Sequence, residues 1–462
     1  MFTSNLCRKN AIIFIVSLLS LAIVGCSNPF RATDQAVVIN TGVSTTIFTK
    51  VFDGAFGQEA DYGQVTFNVT ATPSFGTLIG TLPNVVYVPN VDFLAGSDSF
   101  TYTASKGSLS SDATVYITMT DRYVSHLEID NSYVFSGQAV GNHAYLAAGL
   151  GGLQIVDFLN QVAPTVIGSY DPVESIISTI TELAVSNNVA YLVDIASGII
   201  SVDVTVPQSP VFMNNFDGNI RGGSVAVLED GGSTYVYSAS TGEGLYVLDG
   251  SLTELAHFPN IKGGGIHIMG ETAYINGLGG ITKLDLNIAD RTNPLVLGTT
   301  ENDPGYEVGS ISDLIPLDEN RVYFTGNVFD AGYTVFTSFG LMDLTDINTV
   351  TISQQASAVN SGFSVAISKN TGSGDAYAFV LDRLVAAETG GNIPTIKVMD
   401  VTDTVSTGVG WPVTEQIITP GIQPLAPPSL AGHGGPWQSF ATDNGLIIVG
   451  DGFRGITIFD GN

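Results

Sequence analysis

The sequence predicts an all-β protein: a β-sandwich followed by a seven-bladed β-propeller closed by an N-terminal outer strand. Three observations predict it. Beyond residue 26 no stretch of 12 or more residues shows a 3.6-residue apolar period, and short Val/Ile/Tyr/Thr runs ended by Gly, Asn, Asp or Pro recur instead. From residue 122 onward one four-strand phrase recurs seven times at intervals of 36 to 60 residues, averaging about 50, the size of a propeller blade. The chain can also bury such a core: it has 462 residues, only 13 % of them charged, and a mean hydropathy of +0.29.

Charge narrows the function classes. Acids outnumber bases 43 to 15, for a net charge of −28. Nucleic acid is excluded as a partner because phosphate binding needs clustered Lys and Arg, and electrostatic docking on anionic lipid is excluded with it. The acids either solvate the surface or, in dedicated loops, bind divalent cations.

The chain opens MFTSNLCRKNAIIFIVSLLSLAIVGC. Arg8 and Lys9 form a basic start, and Ala11 to Val24 is an apolar run of 14 residues, short of the roughly 20 that a spanning helix needs. Residues 1–25 read as a secretory signal peptide. The run ends Ile23-Val24-Gly25-Cys26, which resembles the lipobox of bacterial lipoproteins. That resemblance implies cleavage before Cys26, lipidation of its thiol, a tether over 26–33 and anchorage to the bacterial cell envelope. Ser27, where an Asp would retain the protein at the inner membrane, implies the outer membrane. The alternative is an uncleaved anchor or an ordinary signal peptide. Cys7 and Cys26 are the only cysteines, so the mature chain has no disulfide to support its core in an oxidising compartment.

Residues 34–121 form the sandwich. Its last strand alternates Val115, Ile117 and Met119 with Thr114, Tyr116, Thr118 and Thr120, which gives it one apolar face. Pro73, Gly76-Thr77-Leu78, Tyr87-Val88-Pro89-Asn90, Phe93, Gly96 and Asp98-Ser99-Phe100-Thr101-Tyr102 resemble the cadherin-like, Ig-type repeats of bacterial surface proteins. Those repeats often carry an Asp-rich loop. The corresponding KVFDGAFGQEADYG makes Asp53, Glu59 and Asp61 the calcium candidates, at wider spacing than usual. A plain spacer without calcium is the alternative.

Residues 122–462 hold the repeats. Each has an apolar strand, a strand with Tyr, a Gly-rich turn, a third strand ending in Asp, and often a Pro before a fourth. The third strands end at Asp157, Asp203, Asp249, Asp285, Asp343, Asp400 and Asp460; the second strands carry Tyr145, Tyr191, Tyr237, Tyr274, Tyr323 and Tyr377. Seven copies of a catalytic Asp would be odd, whereas seven copies of a residue that caps the following turn are expected of a repeat. The phrase resembles the LVIVD repeat, closely in NHAYLAAGLGGLQIVDFLNQVAPTVIGSYD and loosely in units five and six. The seventh unit stops two residues after Asp460 and lacks a fourth strand, while RYVSHLEID at 122–130 resembles the strand that closes unit one. The expectation is that 122–130 completes the seventh blade and removes an open edge.

Chemistry-bearing constellations are sparse. His126, His143, His257, His267 and His433 lack zinc spacing, and no EF-hand run is present. There is no G-x-S-x-G elbow beside His433-Gly434-Gly435, and the GLGG turns lack a phosphate-loop Lys. Function is therefore expected in long segments that would converge on one face: 300–309, 327–338, 383–395 and 421–437. Tyr306, Tyr333, Arg383, His433 and Trp437 are the candidate ligand contacts, aromatics with polar edges that stack on sugars or anchor peptides. The alternative is that the Pro-rich segment closes over the ring. Glu301, Asp303, Glu307 and Asp330 are acids in the same loops, solvated or calcium-binding.

The resulting expectation is a lipid-anchored, non-enzymatic binding or adhesion protein for protein or polysaccharide. It needs no cofactor beyond calcium, and it is a monomer or part of an envelope assembly. Two alternatives stand beside it. One is a propeller hydrolase or lyase on extracellular polymers, which needs carboxylates or histidines on the innermost strands; FSVAIS (363–368) and GGSVAVL (222–228) offer few. The other is a structural component of an envelope assembly.

Overall fold

The computed structural model describes residues 30–461 except 54–59, 94, 130–132, 172–177, 219, 221, 278–279, 288, 301–305, 331–334, 348–350, 357–358, 360–363, 370–373, 386–391, 403–410, 412, 419–438, 443–444 and 451–454. The regular structure is β throughout, apart from one 3-10 turn at Tyr62–Gln64 among the described residues. The chain divides into two compact units: 1–37 with 42–117, and 38–41 with 118–462. No described helix is long and apolar enough to cross a membrane.

The first unit has a four-stranded sheet, in the order Gln35–Ile39, Leu109–Met119, Gly96–Lys106 and Thr66–Ala71. Beside it is a three-stranded sheet of Thr45–Phe48, Asn84–Pro89 and Gly76–Thr81, and a short pair of Arg31–Ala32 with Val51–Phe52. Period-2 alternation sets which side chains leave water: Val115, Ile117 and Met119 are buried, while Thr114 and Tyr116 stay half-exposed. The residues that carry the cadherin-like resemblance hold the two larger sheets together. Tyr87 on the three-stranded sheet donates its hydroxyl to Asp98 Oδ2 on the four-stranded one, at 2.8 Å. Asp98 also accepts from the backbone N–H groups of Ser74, Phe75 and Ser99 at 2.8–2.9 Å, so a buried carboxylate has no lone pair to spare. Burial raises the Tyr87 hydroxyl pKa well above its ordinary value, with Asp98 adding to the rise, so Tyr87 remains a donor. Gly76 is required because a Cβ there would collide with the Tyr87 ring.

The second unit consists of consecutive four-stranded antiparallel meanders. The first is Ser136–Val140, His143–Ala147, Leu153–Asp157 and Thr165–Tyr170. The second is Ile180–Ser186, Val189–Asp194, Gly198–Asp203 and Val211–Phe216; the third is Ser224–Asp230, Ser233–Ser240, Gly244–Asp249 and Glu254–Phe258. The fourth is Gly265–Met269, Thr272–Gly277, Gly280–Asp285 and Leu295–Thr299; the fifth is Tyr306–Pro316, Arg321–Asp330, Val335–Asp343 and Thr351–Gln355. The sixth is Ser364–Lys369, Ala376–Val385, Asn392–Asp400 and Val413–Ile418. Units five and six are thus regular sheets despite their loose motifs. The seventh runs Ser439–Ala441, Leu446–Gly450, Ile456–Asp460 and then Tyr123–Leu127, so the strand predicted over 122–130 does pair with the last third strand. The first strands of successive sheets lie against one another in order, and that of the seventh lies against that of the first.

The repeated residues serve as structural devices. Asp157, Asp203, Asp249, Asp285, Asp343 and Asp400 each accept the backbone N–H two residues on, at 2.8–3.0 Å, which stops the third strand in an Asx turn. Third and fourth strands share a bulge between the residues two and one before the Asp, such as Ile155/Val156 in the first sheet. Gly152 opens the third strand at φ +70°, and a Cβ would strike the Tyr170 carbonyl at the end of the fourth.

The second-strand tyrosines tie neighbouring sheets. Tyr191 donates to Gly250 O at 3.1 Å, Tyr237 to Arg291 O at 2.9 Å and Tyr274 to Glu319 O at 2.6 Å, each in the next sheet. In the sixth sheet Tyr377 stands opposite Asp400, two places before this repeat position, which Phe379 fills. Tyr237 is fully buried, so Tyr237→Phe should leave a carbonyl without its donor and cost about 1 kcal/mol, read as a lower urea midpoint.

Candidate functional site

The register brings one polar residue from most sheets to the same level. Opposite the second-strand residue two places beyond the repeat aromatic stand Ser136, Glu182, Ser224, Gly265, Asp313 and Ser364, in sheets one to six. Ser439 begins the described part of the first strand in the seventh. In sheets one to four these positions lie next to the hairpin that joins second and third strands, whereas in sheets five and six the second strand runs on past them to Asp330 and Val385; the first strands that carry them form the circuit above. The layer therefore rims the inside of the circuit at its hairpin end.

The two acids are set apart by backbone geometry. Pairing with the second strand slips just before each, between Ile180 and Glu182 and between Ile311 and Asp313. A bulge re-aims the side chain that follows it. Glu182 accepts from Ser136 Oγ and from its neighbour Leu183 N at 3.1 Å. Asp313 Oδ2 accepts from Ser364 Oγ at 2.9 Å and Val365 N at 3.1 Å, and Ser439 N donates to Ser364 Oγ at 3.2 Å. A hydrogen-bonded chain thus crosses from sheet five to sheet seven. His267 stands two residues past Gly265.

Glu182, Asp313 and His267 keep part of their surface open yet are enclosed by protein, the setting of a narrow recess. Burial pushes Glu182 up to about 7, and the charge of Asp313 adds to the rise; Ser136 and Leu183 N oppose it. Burial also raises Asp313, against the pull of His267, Val365 N, Ser364 and Leu314 N. Burial lowers His267, which favours the neutral imidazole. Among the described residues of the seven first strands the only Lys or Arg is Lys369, the last residue of its strand and at the far end.

Two further oxygens belong to this sector. Thr325 is fully buried directly opposite Asp313, and its Oγ1 has no hydrogen-bond partner. Asn276, opposite Gly265, donates to Ile311 O at 3.2 Å. Its Oδ1 fills the space above Gly265, and a side-chain hydrogen bond between Asn276 and His267 favours the protonated imidazole against the effect of burial. Among the described residues no three His, Cys, Asp or Glu side chains are grouped as metal ligands. An open cleft of about 550 Å³ at the other end of sheet five is lined by Asp318, Arg321 and Asp343, among others. Two of its acids are already engaged, Asp318 by Arg321 at 2.7 Å and Asp343 by Thr345 N at 2.8 Å.

The contacts expected from sequence fall partly on this end. Segments 327–338 and 383–395 are not simple loops. Their described parts continue the second and third strands of sheets five and six, with Val328 opposite Thr337 and Val385 opposite Asn392. The physical reason is that alternating β-formers such as Val328, Val335 and Ile393 extend the ladder through segments that carry turn residues. Tyr306 opens the first strand of sheet five, opposite Asp330, and Arg383 lies in sheet six opposite Pro394. Tyr333, His433, Trp437, Cys26 and Glu59 lie outside the described residues. Asp53 is paired with Lys106 at 2.6 Å, and Asp61 accepts from Gly63 N and Gln64 Nε2. Sequence reading missed Glu182, His267 and Asp313, because a charged residue in a short apolar strand gives no sign of which edge it faces. The signal was a lone acid in ITELAVS and in SISDLIP.

Residues 138–172 and 180–218 match the LVIVD repeat family. The chain carries LVIVD repeats. The matched segments cover most of sheets one and two, including the turns capped by Asp157 and Asp203. No curated protein matches the chain. Among solved structures it is similar to the computationally designed Ika8 protein at 11 % identity, covering 73 % of this chain and 99 % of that one, with a TM-score of 0.47. It is similar to a quinonprotein alcohol dehydrogenase-like protein from Bacteroides thetaiotaomicron at 10 % identity, covering 84 % and 94 %, with a TM-score of 0.41. A third likeness is to a protein of unknown function from the same organism, at 11 % identity over 94 % and 98 %, with a TM-score of 0.35.

Proposed function

We propose that this chain is a non-enzymatic binding lipoprotein of the bacterial cell envelope, held at the outer membrane through Cys26. On this reading an Ig-like sandwich is followed in the chain by a closed seven-bladed propeller built partly from LVIVD repeats. The hairpin end of the propeller takes a protein or polysaccharide. The anchor rests on the signal and lipobox sequence, and the propeller on the circuit of first strands. One observation carries the binding reading: polar side chains at one register level, two of them half-buried acids that follow bulges, at the end where the extended hairpins lie. Such groups are retained for a ligand more readily than for a fold.

The test applies the full chain, in detergent micelles, to a panel of polysaccharides and peptides. A variant with 421–437 replaced by a short Gly/Ser link runs beside it. Binding by the intact chain and loss in the folded variant support the reading. No binding by either, or equal binding by both, overturns it in favour of a structural role in an envelope assembly. A hydrolase or lyase is the second reading, favoured by Glu182 at about 7, close to the pKa of a general acid–base group at neutral pH. Release of reducing ends or unsaturated products from any panel polymer would establish it.

A further inference from the structure

We propose that the outer edges of sheets one and two bind a cationic amphipathic helix of a partner protein. This surface lies at the end of the sheets where the third strands stop, away from the hairpin end on which the binding reading rests. Leu159 and Val162 in the turn before the fourth strand of sheet one, and Val206, Val211, Phe212 and Met213 in the matching turn and strand of sheet two, are 49–73 % exposed. The two groups adjoin. Val166, also exposed, lies between them on the fourth strand of sheet one, and Gly168 of that strand abuts the Pro207 carbonyl so closely that a Cβ would collide with it. At roughly half of a full side chain each, these residues expose several hundred Å² of apolar surface, the size that marks a partner site. In sheet three the same places hold Thr253, Glu254 and Leu255, so a carboxylate separates this patch from Leu295, Val296 and Leu297 of sheet four.

Charge and backbone decide the occupant. Between residues 132 and 216 the chain has six acids and no Lys or Arg. Asp157 and Asp203 stand at the patch itself, opposite Thr165 and Val211. Apolar side chains edged by carboxylates fit a partner whose apolar face is flanked by Lys or Arg. A second copy of this chain would instead bring the same acidic surface, with a net charge of −28 on each. An added strand is disfavoured by the bulges. The fourth strands carry an extra residue, Ile167 and Met213, in their pairing with the third, and such a bulge twists an open edge away from further pairing. The partner therefore has to satisfy its own backbone, as a helix does, and make contact through side chains.

The test is fluorescence anisotropy of a labelled Leu/Lys peptide of about 18 residues, patterned as an amphipathic helix. It is titrated with the full chain in maltoside micelles, and empty micelles give the blank. Phe212→Ser and Met213→Ser should each weaken binding by at least about fivefold, because both side chains sit on the patch and neither supports the core. Asp157→Asn combined with Asp203→Asn keeps an oxygen to cap each turn and removes both charges; it should weaken binding by about threefold. Val296→Ser, on the separate group of sheet four, should leave it unchanged. Thermal unfolding confirms that each variant is folded. No binding of the peptide overturns the proposal, as does equal binding by the parent and Phe212→Ser, or of the peptide and its Leu/Glu counterpart. A loss in Val296→Ser as large as in Phe212→Ser overturns the assignment to sheets one and two. Tighter binding of an alternating Val/Lys peptide replaces the helix with an added strand. A parent that dimerises in light scattering, beside a Phe212→Ser variant that does not, replaces it with a second copy. Phe212-dependent binding that survives replacement of 421–437 separates this surface from the hairpin end, and its loss in that folded variant overturns the proposal.

Discussion

Removing residues 122–130 should convert a monodisperse chain into an aggregating one that unfolds without a single cooperative transition. Tyr123–Leu127 does everything that a covalently joined fourth strand does elsewhere. It pairs antiparallel with Ile456–Asp460 and repeats the bulge at the same place, between Phe459 and Ile458. Gly455 stands at φ +107° with its Cβ space taken by the Leu127 carbonyl, the relation that Gly152 has to Tyr170. Asp460 N donates to Arg122 O at 2.7 Å, and Ser125 Oγ reaches Gln161 O of sheet one at 2.6 Å. Val124 and Leu127 pack on the cluster of Val134, Leu146, Ile448, Ile456 and Ile458. Losing those two partly buried side chains costs on the order of 2 kcal/mol, and Ile129, buried in the same cluster, is lost with them. Worse, it leaves Ile-Thr-Ile-Phe as an open edge, a template for pairing with another chain. Size-exclusion chromatography with light scattering reads the outcome. Adding 122–130 after Asn462 through a flexible link should restore the monomer. A soluble, cooperatively unfolding deletion variant would show that the strand is dispensable.

The same strand shows what the sequence makes legible. RYVSHLEID could be recognised because fourth strands have a pattern of their own, set by the bulge and by the third strand they cover. The Asp, Tyr and Gly of the repeat were readable for the same reason: each satisfies a local rule, an Asx turn, a hydroxyl reaching a neighbour, a positive φ. Two features escaped. Extended strands in sheets five and six were read as loops because their Gly, Asn and Pro residues signal turns, while the flanking Val and Ile residues carry the ladder through. Tyr377 was assigned to the repeat by residue type, although register puts Phe379 there. The polar recess was harder still. Glu182 and Asp313 come from strands more than 120 residues apart, and their direction depends on bulges that a one-residue slip creates. Composition records such residues only as two of 43 acids.

Glu182→Gln should stabilise the protein at pH 8 and change it little at pH 4. Glu182 has an ordinary pKa of 4.5 and is pushed up to about 7 by burial, with Asp313 contributing. Between those values the folded state holds a proton that the unfolded state has lost, so stability falls as pH rises through this window. The full cost, about 3 kcal/mol at most, is reached above pH 7. Glutamine is uncharged throughout and removes it. Asp313, also raised, adds a slope of the same sign. His267, lowered by burial, adds the opposite one, because the unfolded ring gains a proton as pH falls below its ordinary 6.5. Both are present in parent and variant, so the difference between the two unfolding curves reports mainly on Glu182. Thermal midpoints at pH 4, 6 and 8 measure it; a gain of several degrees confined to the upper end is expected. A stabilised variant would mark Glu182 as a residue kept at the fold's expense. Equal midpoints at pH 8 would mean that water already solvates the carboxylate, so that its surroundings impose no cost on the charged form.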